Sequence, residues 1–299
     1  MVHHDRCPLC SSEMITDHFN CTDHFVSKEV FVIARCITCG FLFTQDHPDE
    51  NEISGYYESD AYISHSDTSS GIINKLYHQV RQLMLLRKRK IIQKTTGLKS
   101  GNLLDVGSGT GHFASFMKNS GWSVKGIEIS AKARDFSSEN FGIDVIAPDR
   151  ISELEPGSFD CVTMWHVLEH FHDPHRYISD ITRLLKPGGT CLVALPNSSS
   201  TDAKYYREVW AAFDVPRHLW HFEPATFNEF VRKSGLTIER QFVLPFDVFY
   251  ISVLSEKYNG NHWPFISGIT RAIWFSLSSF FRRKRSSSVI YILKIKSAQ

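Results

Sequence analysis

Apolar and polar positions follow two rhythms in the middle of the chain, and each rhythm predicts one kind of element. From residue 102 to residue 195, short apolar runs typical of buried strands alternate with segments in which apolar residues recur every three or four positions. This alternation predicts a parallel sheet covered on both faces by helices, which is an α/β fold. We predict strands at 102–107, 122–129, 143–147, 159–165 and 190–195, and helices at 111–120, 131–140 and 174–186.

The flanking segments have different patterns and suggest how the chain is divided. An amphipathic basic helix is predicted at 71–94, and a helix at 224–234 with a strand at 236–244 follows the sheet region. We predict three regions: a small N-terminal module at 1–45, a linker and helical region at 46–98, and a main domain at 99–299. Insertions interrupt the main domain at about 198–222 and at about 246–287.

A glycine-rich turn after the first predicted strand indicates a nucleoside ligand. Gly107, Gly109 and Gly111 allow a tight turn and a close approach of backbone to ligand. Dinucleotide sites usually space their third glycine one residue later. Asp105 would repel a pyrophosphate but would attract a cationic aminoacyl-sulfonium group, and Glu128 is placed to accept hydrogen bonds from two ribose hydroxyls. The pattern therefore favours S-adenosylmethionine over NAD.

Residues 100–195 resemble the class I S-adenosylmethionine-dependent methyltransferases. The likeness lies in four motifs, which are Leu103–Gly111, Gly126–Ser130, Ser158–His170 and Leu185–Gly189. Within the class, Val167–His170 followed by Asp173-Pro174 is similar to the ubiquinone-biosynthesis O-methyltransferase type. The resemblance implies a Rossmann-like, seven-stranded, mostly parallel sheet whose last strand, at 289–296, runs antiparallel. The N-terminal module would be a zinc-ribbon-like addition to this fold.

The resemblance also implies which residues bind the cofactor. Asp105, Gly107 and Gly109 would face the methionine end, Glu128 the ribose and Ile129 the adenine. Asp149 would read the adenine amino group, and Trp165 would lie beside the methyl group. The full predicted set is Asp105, Gly107, Ser108, Gly109, Gly111, Glu128, Ile129, Asp149 and Trp165.

Three histidines are candidate bases for removing a hydroxyl proton during methyl transfer. Histidine titrates near neutrality, and we expect His166, His218 and His221 near the acceptor. His166-x-x-Glu169-His170 also matches an inverted zinc-protease signature, but it follows a strand directly, so a protease is disfavoured. In the ubiquinone-biosynthesis O-methyltransferase type, this segment is linked to the use of a divalent metal and has an acid at the position of His166. This chain has histidine there and so departs from the pattern.

Four of the seven cysteines form two Cys-x-x-Cys pairs. Cys7, Cys10, Cys36 and Cys39 can supply four thiolates to a tetrahedral zinc ion, which would be structural because no coordination position stays open. Paired thiols of this kind fit a reducing cytoplasm better than disulfide bonds do. No apolar segment follows a basic start, so we expect no signal peptide.

The net charge of +1 conceals two basic blocks. Residues 68–104 and 257–299 hold eight Lys or Arg each and no acid, which leaves 17 basic against 32 acidic residues elsewhere. Within the second block, residues 262–285 combine an apolar helical stripe, Trp274 and the cluster Arg282–Arg285. We interpret them as an interfacial helix for peripheral contact with the inner face of a membrane. Packing on the protein's own core or in a dimer is the alternative.

The expected function is S-adenosylmethionine-dependent O-methylation of a small-molecule, sugar or lipid-linked acceptor. An RNA methyltransferase with a zinc-binding recognition module is one alternative, although the acidic remainder of the chain makes nucleic acid an unlikely partner. A non-catalytic scaffold that binds the cofactor is the other. The sequence leaves the oligomeric state open.

Overall fold

The computed structural model describes residues 1–57, 72–281 and 285–296, with the backbone alone at residues 72–78, 280 and 281. The strands are β1 (Ile15–Thr22), β2 (Val30–Cys36), β3 (Leu42–Thr44), β4 (Asn102–Val106), β5 (Ser123–Ile127), β6 (Asp144–Ile146), β7 (Phe159–Trp165), β8 (Leu185–Pro196), β9 (Trp220–His221), β10 (Leu236–Val243) and β11 (Ser288–Ile295). The α-helices are α1 (Ile72–Thr96), α2 (His112–Asn119), α3 (Ala131–Phe141), α4 (Pro174–Leu184), α5 (Thr201–Tyr206), α6 (Pro224–Lys233), α7 (Asp247–Tyr258) and α8 (Pro264–Phe281).

The main sheet has seven strands among the described residues, in the order β10-β11-β8-β7-β4-β5-β6. The pairs within β6, β5, β4, β7 and β8 are parallel, whereas β11 runs antiparallel to both β8 and β10. The predicted α/β architecture and the antiparallel last strand are therefore confirmed. Adjacent residues of β4 enter different cores: Leu103 packs with α1 and α2, while Leu104 and Val106 pack with α4 and α6. A sheet covered on both faces requires this arrangement.

The largest shift in a predicted boundary is at β8. The strand begins at Leu185, five residues before the predicted start at 190, and α4 ends at Leu184 rather than at 186. Leu185 is buried and already pairs with Phe159, and the ladder resumes at Thr190 after an irregularity. Gly188, with a φ of 76°, lies inside that irregularity. The Pro-Gly-Gly segment therefore interrupts a strand rather than preceding one.

The N-terminal segment forms a second sheet of four strands in the described chain, in the order β1-β2-β3-β9. Strand β9 comes from the 198–222 insertion, and its Trp220 pairs with Phe43 of β3. A buried ion pair adds to this joint, because Arg217 donates to Asp23 over 2.9 Å while both side chains are almost wholly inaccessible. The cysteine-containing segment is thus packed against the main domain through strand pairing and charge.

The helix predicted within residues 262–285 is α8, which packs against α7. The predicted cluster Arg282–Arg285 lies outside the described residues except for Arg285. None of the helices that the structure describes is long and apolar enough to span a lipid bilayer.

Candidate active site

The predicted cofactor residues lie along one edge of the main sheet. Strands β6, β5, β4 and β7 are parallel neighbours, so their carboxyl ends meet at the same edge. Asp149 follows β6, Glu128 follows β5, Asp105 lies near the end of β4 and Trp165 ends β7. The tertiary structure therefore brings together residues that are spread over 60 positions of the sequence, in the order expected for adenine, ribose and methionine.

The three glycines of the turn adopt left-handed backbone conformations for different reasons. Gly107 has a φ of 70°, and a Cβ there would overlap the side chain of Val167. Gly111 has a φ of 81°, and a Cβ there would overlap Ser137 of α3. Gly109 has a φ of 53°, but nothing lies within 4 Å of its Cβ position. Protein packing therefore requires Gly107 and Gly111, whereas Gly109 leaves space for a ligand.

The carboxylate of Glu128 is held in place by two backbone amides. Gly109 donates its N–H to Oε2 over 2.8 Å, and Ser130 donates to Oε1 over 3.0 Å. Each carboxylate oxygen keeps a second lone pair, so the group can still accept two ribose hydroxyls. Ile129, beside it, is 74% exposed, and Asp149 is exposed on a short 3-10 helix after β6. An apolar surface thus adjoins the ribose acceptor, as adenine stacking requires.

Asp105 is a buried carboxylate whose pKa lies near neutrality. It is 2% exposed and accepts a hydrogen bond from Thr163 over 2.7 Å. Burial raises the pKa of Asp105 to about 7, although the Thr163 hydroxyl and the charge of Lys88 oppose the shift and Glu128 adds to it. The side chain therefore changes between neutral and anionic forms near physiological pH, and a cation bound beside it would favour the anion.

Lys88 of α1 is a site residue that the sequence reasoning missed. Its Nζ lies 4.1 Å from the centroid of the Trp165 ring and 5.3 Å from that of Phe113. Burial lowers the pKa of Lys88 to about 8, against the raising effects of Asp105 and Asp247. The sequence shows only one cation among several on a basic helix, and nothing in that pattern marks the one that turns toward the sheet edge.

His166, directly after β7, is held between two carboxylates. Its Nε2 lies 2.9 Å from Asp247 Oδ2, and its Nδ1 lies 3.5 Å from Glu169 Oε1. Burial by itself would lower the pKa of His166, but Asp247 and Glu169 raise it to about 9. The residue also has a φ of 58°, which is uncommon for a side chain with a Cβ. At neutral pH the imidazole is therefore protonated and serves as a cationic hydrogen-bond donor.

A buried cluster of Glu169, His170 and His218 lies next to His166. Their potential ligand atoms lie within 4.8 Å of one another. Both imidazoles have Nδ1 next to a backbone carbonyl, at 3.0 Å from Arg217 for His170 and 2.9 Å from Ala212 for His218. The hydroxyl of Tyr57 also lies 2.9 Å from His170 Nδ1. In His218 the Nδ1–H donates to the carbonyl, which leaves a lone pair on Nε2. The Glu169 carboxylate is 1% exposed and has no hydrogen-bond partner of good geometry among the described residues.

This cluster supports two kinds of chemistry. Two imidazoles and one carboxylate are a donor set that fits a divalent metal ion. Alternatively, His218 Nε2, at 4.0 Å from Glu169 Oε1, can take up a proton beside an anion that stabilises the resulting charge. Burial lowers the pKa of His170 to about 4, so this residue stays neutral.

Two residues of the predicted site turn toward the protein interior. Ser108 packs against β5, where a Cβ on Gly126 would lie 2.7 Å from its Oγ. His221 lies on β9, with Nε2 at 3.0 Å from Thr44 Oγ1, and burial lowers its pKa to about 3. The structure thus brings His166 and His218 together around Glu169 and places His221 at the joint with the second sheet.

The four predicted zinc ligands converge at two turns of the same shape. The residues after each pair, Ser11 and Gly40, have φ of 63° and 78° and donate N–H to the carbonyls of Cys7 and Cys36. Cys7 Sγ lies 3.6 Å from Cys39 Sγ, and Cys10 Sγ lies 3.5 Å from Cys36 Sγ. Tetrahedral zinc with bonds of about 2.3 Å separates its sulfurs by about 3.8 Å. All four ligand atoms lie within 4.8 Å of one another.

Comparisons with known proteins agree with this geometry. A family described as a methyltransferase domain matches residues 77–241, which is more than half of the chain. A ubiquinone biosynthesis O-methyltransferase of Ralstonia nicotianae is 38% identical over 122 residues, which cover 38% of this chain but only 50% of that protein. One of the same name from Burkholderia vietnamiensis is 33% identical over 168 residues, covering 48% of this chain and 72% of that protein.

A solved structure shares the fold at lower sequence identity. Geranyl diphosphate C-methyltransferase from Streptomyces coelicolor is 14% identical, with a TM-score of 0.51 over 80% of this chain and 90% of that one. Such a distant likeness supports the architecture alone. Since the family match spans more than half of the chain, the chain belongs to the methyltransferase-domain family and is an S-adenosylmethionine-dependent methyltransferase.

Proposed function

We propose that the chain transfers the methyl group of S-adenosylmethionine to a hydroxyl oxygen of a small-molecule, sugar or lipid-linked acceptor. The observation that carries the proposal is the arrangement of His166, Glu169 and His218 directly beyond β7, next to Trp165. A hydroxyl acceptor must lose its proton, whereas an amine or a thiol needs less help from a base. The O-methyltransferase names of two relatives support the same reaction class.

S-adenosylmethionine supplies an electrophilic methyl group whose departure leaves neutral S-adenosylhomocysteine. The chain's own contribution is to bind and orient. Glu128 accepts the ribose hydroxyls, and Asp105 attracts the cationic end of the methionine moiety once its carboxyl is ionised. Trp165 offers an apolar wall beside that position. Holding the two reacting groups in line and away from water supplies much of the rate in such transfers.

Among the three predicted bases, we assign proton removal to His218. Its Nδ1 is fixed by the Ala212 carbonyl, its Nε2 keeps a lone pair, and Glu169 stabilises the imidazolium that forms. His166 is protonated at neutral pH because Asp247 and Glu169 raise its pKa to about 9. Its proposed role is to stabilise, through its positive charge, the negative charge that develops on the acceptor oxygen. The interior position of His221 is a reason to give that residue no part in the proposal.

We also propose that Cys7, Cys10, Cys36 and Cys39 bind one structural zinc ion. The proposal rests on four sulfurs that converge without any histidine or carboxylate in the same set. Zinc there would fix the segment that packs on the main core through Leu9 and Phe41. A thiolate quartet of this kind requires reducing conditions, which is the basis for proposing that the protein works in the cytoplasm.

The function is tested by turnover rather than by binding. The full-length protein is incubated with S-adenosylmethionine carrying a labelled methyl group and a metabolite extract, and products are identified by mass spectrometry. We expect a labelled methyl ether, lost at least about a hundredfold in His218→Ala and retained in His172→Ala, a matched histidine outside the cluster. No labelled small molecule, or label in RNA with binding that weakens steeply with salt, would contradict the proposal.

An assay with a chelator distinguishes proton transfer by His218 from metal binding at Glu169. A weak chelator that leaves zinc on the cysteines is added before the assay. Unchanged turnover supports proton transfer by His218. Turnover that is lost and then restored by added Mg²⁺ or Mn²⁺ would instead assign Glu169, His170 and His218 as ligands of a divalent metal that polarises the acceptor oxygen.

A further inference from the structure

The helix α8 presents an apolar surface to solvent instead of burying it. We define its outer face as Trp263, Ile266, Ile273, Trp274 and Leu277, which are 72, 59, 49, 57 and 60% exposed. The four members inside the helix fall within an arc of about 100° around its axis. Thr270, between them, directs its hydroxyl to the carbonyls of Ile266 and Ser267, so it adds no free polar group.

The opposite side of α8 accounts for its packing on the enzyme. Gly268 lies against α7 so closely that a Cβ would be 2.6 Å from the Cα of Val253. Ala272 and Phe275 are buried on this side, and Arg271 pairs with the buried Glu256 of α7. The enzyme's own core is therefore filled by one face of the helix, and the described part of the chain leaves the outer face uncovered.

The size and composition of the outer face point to a surface rather than a small ligand. Five side chains of roughly 200 Å² each, at the exposures given above, leave roughly 600 Å² of contiguous apolar area. That value is at the upper end of the largest patch on a typical monomer. Two tryptophans lie within it, and tryptophan is the side chain that favours the boundary between lipid headgroups and hydrocarbon.

The charges around this helix identify the partner. From Lys257 to Gln299 the sequence holds eight Lys or Arg and no Asp or Glu. Lys257, at the end of α7, and Arg285, after α8, are exposed. An apolar helical face flanked along the chain by exposed cations matches the anionic surface of a bilayer, with the helix lying in the plane of the interface.

We propose that the outer face of α8 docks the enzyme on an anionic lipid membrane, independently of which acceptor is methylated. The same helix pair reaches the active site, because α7 begins at Asp247, the partner of His166. The proposal goes beyond methyl transfer itself and would hold for a water-soluble acceptor as well.

The test is flotation of the full-length protein with phosphatidylcholine vesicles that contain or lack phosphatidylglycerol. We expect the wild type to float with the anionic vesicles and to be released by salt. The double variant Ile273→Asp with Leu277→Asp should lose at least about tenfold of its vesicle partitioning. Met14→Asp, at a residue 60% exposed just before β1, is the matched control and should partition as the wild type does.

Two further measurements test whether charge attraction and the outer face of α8 are what bind the vesicles. Glutamine in place of Arg282, Arg283, Lys284 and Arg285 should remove the preference for anionic over neutral vesicles. Calorimetric affinity for S-adenosylmethionine should be unchanged in the double variant, which keeps failure of docking distinct from failure of the methyltransferase function. A wild type that ignores anionic vesicles overturns the proposal. So does a wild-type dimer that Ile273→Asp with Leu277→Asp converts to monomer, since the face would then bind a second copy.

Discussion

The buried carboxylate of Asp105 should control how tightly the enzyme binds S-adenosylmethionine. The change is Asp105→Asn, which keeps the shape of the side chain and removes its ability to ionise. Thr163 donates to this carboxylate, and Lys88 and Glu128 are the charged groups that act on it. We expect the variant to bind S-adenosylmethionine about 10- to 100-fold more weakly at about pH 8, because a charge-assisted hydrogen bond contributes about 1.5–3 kcal/mol.

The affinity for S-adenosylmethionine should also depend on pH in the wild type. Burial raises the pKa of Asp105 to about 7, so the ionised fraction falls from about nine-tenths at about pH 8 to about one-tenth at about pH 6. If only the anion attracts the cationic ligand, wild-type affinity should fall about tenfold across this range. In Asp105→Asn this tenfold fall should be absent, since the carboxyl group whose pKa is about 7 is gone.

The assay is isothermal titration calorimetry of S-adenosylmethionine at several pH values. Asp144→Asn is the control: this exposed carboxylate pairs with Lys125 and should leave both the affinity and its pH dependence unchanged. The folded-state pKa of Asp105 lies above the ordinary value of 3.8, so folding stability falls as pH rises from about 4 to about 7, and the ionised carboxylate keeps this cost at higher pH. Asp105→Asn should therefore be at least as stable as the wild type at about pH 8. A wild-type affinity that does not change with pH, or a variant with the same slope, would refute the reasoning.

Two other predictions concern the cysteine quartet and the glycine turn. Cys36→Ser should lose one bound zinc by elemental analysis and at least about 2 kcal/mol of stability in thermal unfolding. The control Cys21→Ser, outside the quartet, should keep its zinc. Equal zinc content in both variants would argue against the site. Gly107→Ala should lose about 2–4 kcal/mol in urea unfolding, from the left-handed φ and the overlap with Val167, and adding Val167→Ala should restore part of that loss. No recovery in the double variant would show that the overlap is not the cause.

The main sheet and its cofactor edge could be predicted from sequence because their signals are local. Leu103–Val106 form a short apolar run, and Gly107, Gly109 and Gly111 occupy positions where the backbone needs a positive φ. The resemblance implied seven strands with an antiparallel last strand, and the observed sheet has both features. The order β10-β11-β8-β7-β4-β5-β6 is seen only in the structure. The start of β8 was misplaced because Pro187-Gly188-Gly189 has the pattern of a stop signal, and only the pairing of Leu185 with Phe159 shows an extended backbone before it.

The chemistry beside the cofactor depended on contacts between distant segments. His166 could be named as a candidate base from sequence, but its protonation depends on Asp247, which lies 81 residues away on α7. Lys88 lies on a helix of the N-terminal region, and its approach to Trp165 cannot be read from the spacing of cations along that helix. Long-range electrostatics of this kind depends on burial and distance, neither of which a local pattern contains.

The sequence by itself determined the main elements, the glycine turn, the position of Glu128 directly after β5 and the two Cys-x-x-Cys pairs, because each is set by steric or chemical demands within a few residues. The tertiary structure decided which side chains share an environment. It joined β9 to the second sheet, gathered Glu169, His170 and His218 into one buried cluster, and left the outer face of α8 exposed. The physical reason is that burial, and the pKa values that follow from it, belong to the packed chain rather than to any segment of it.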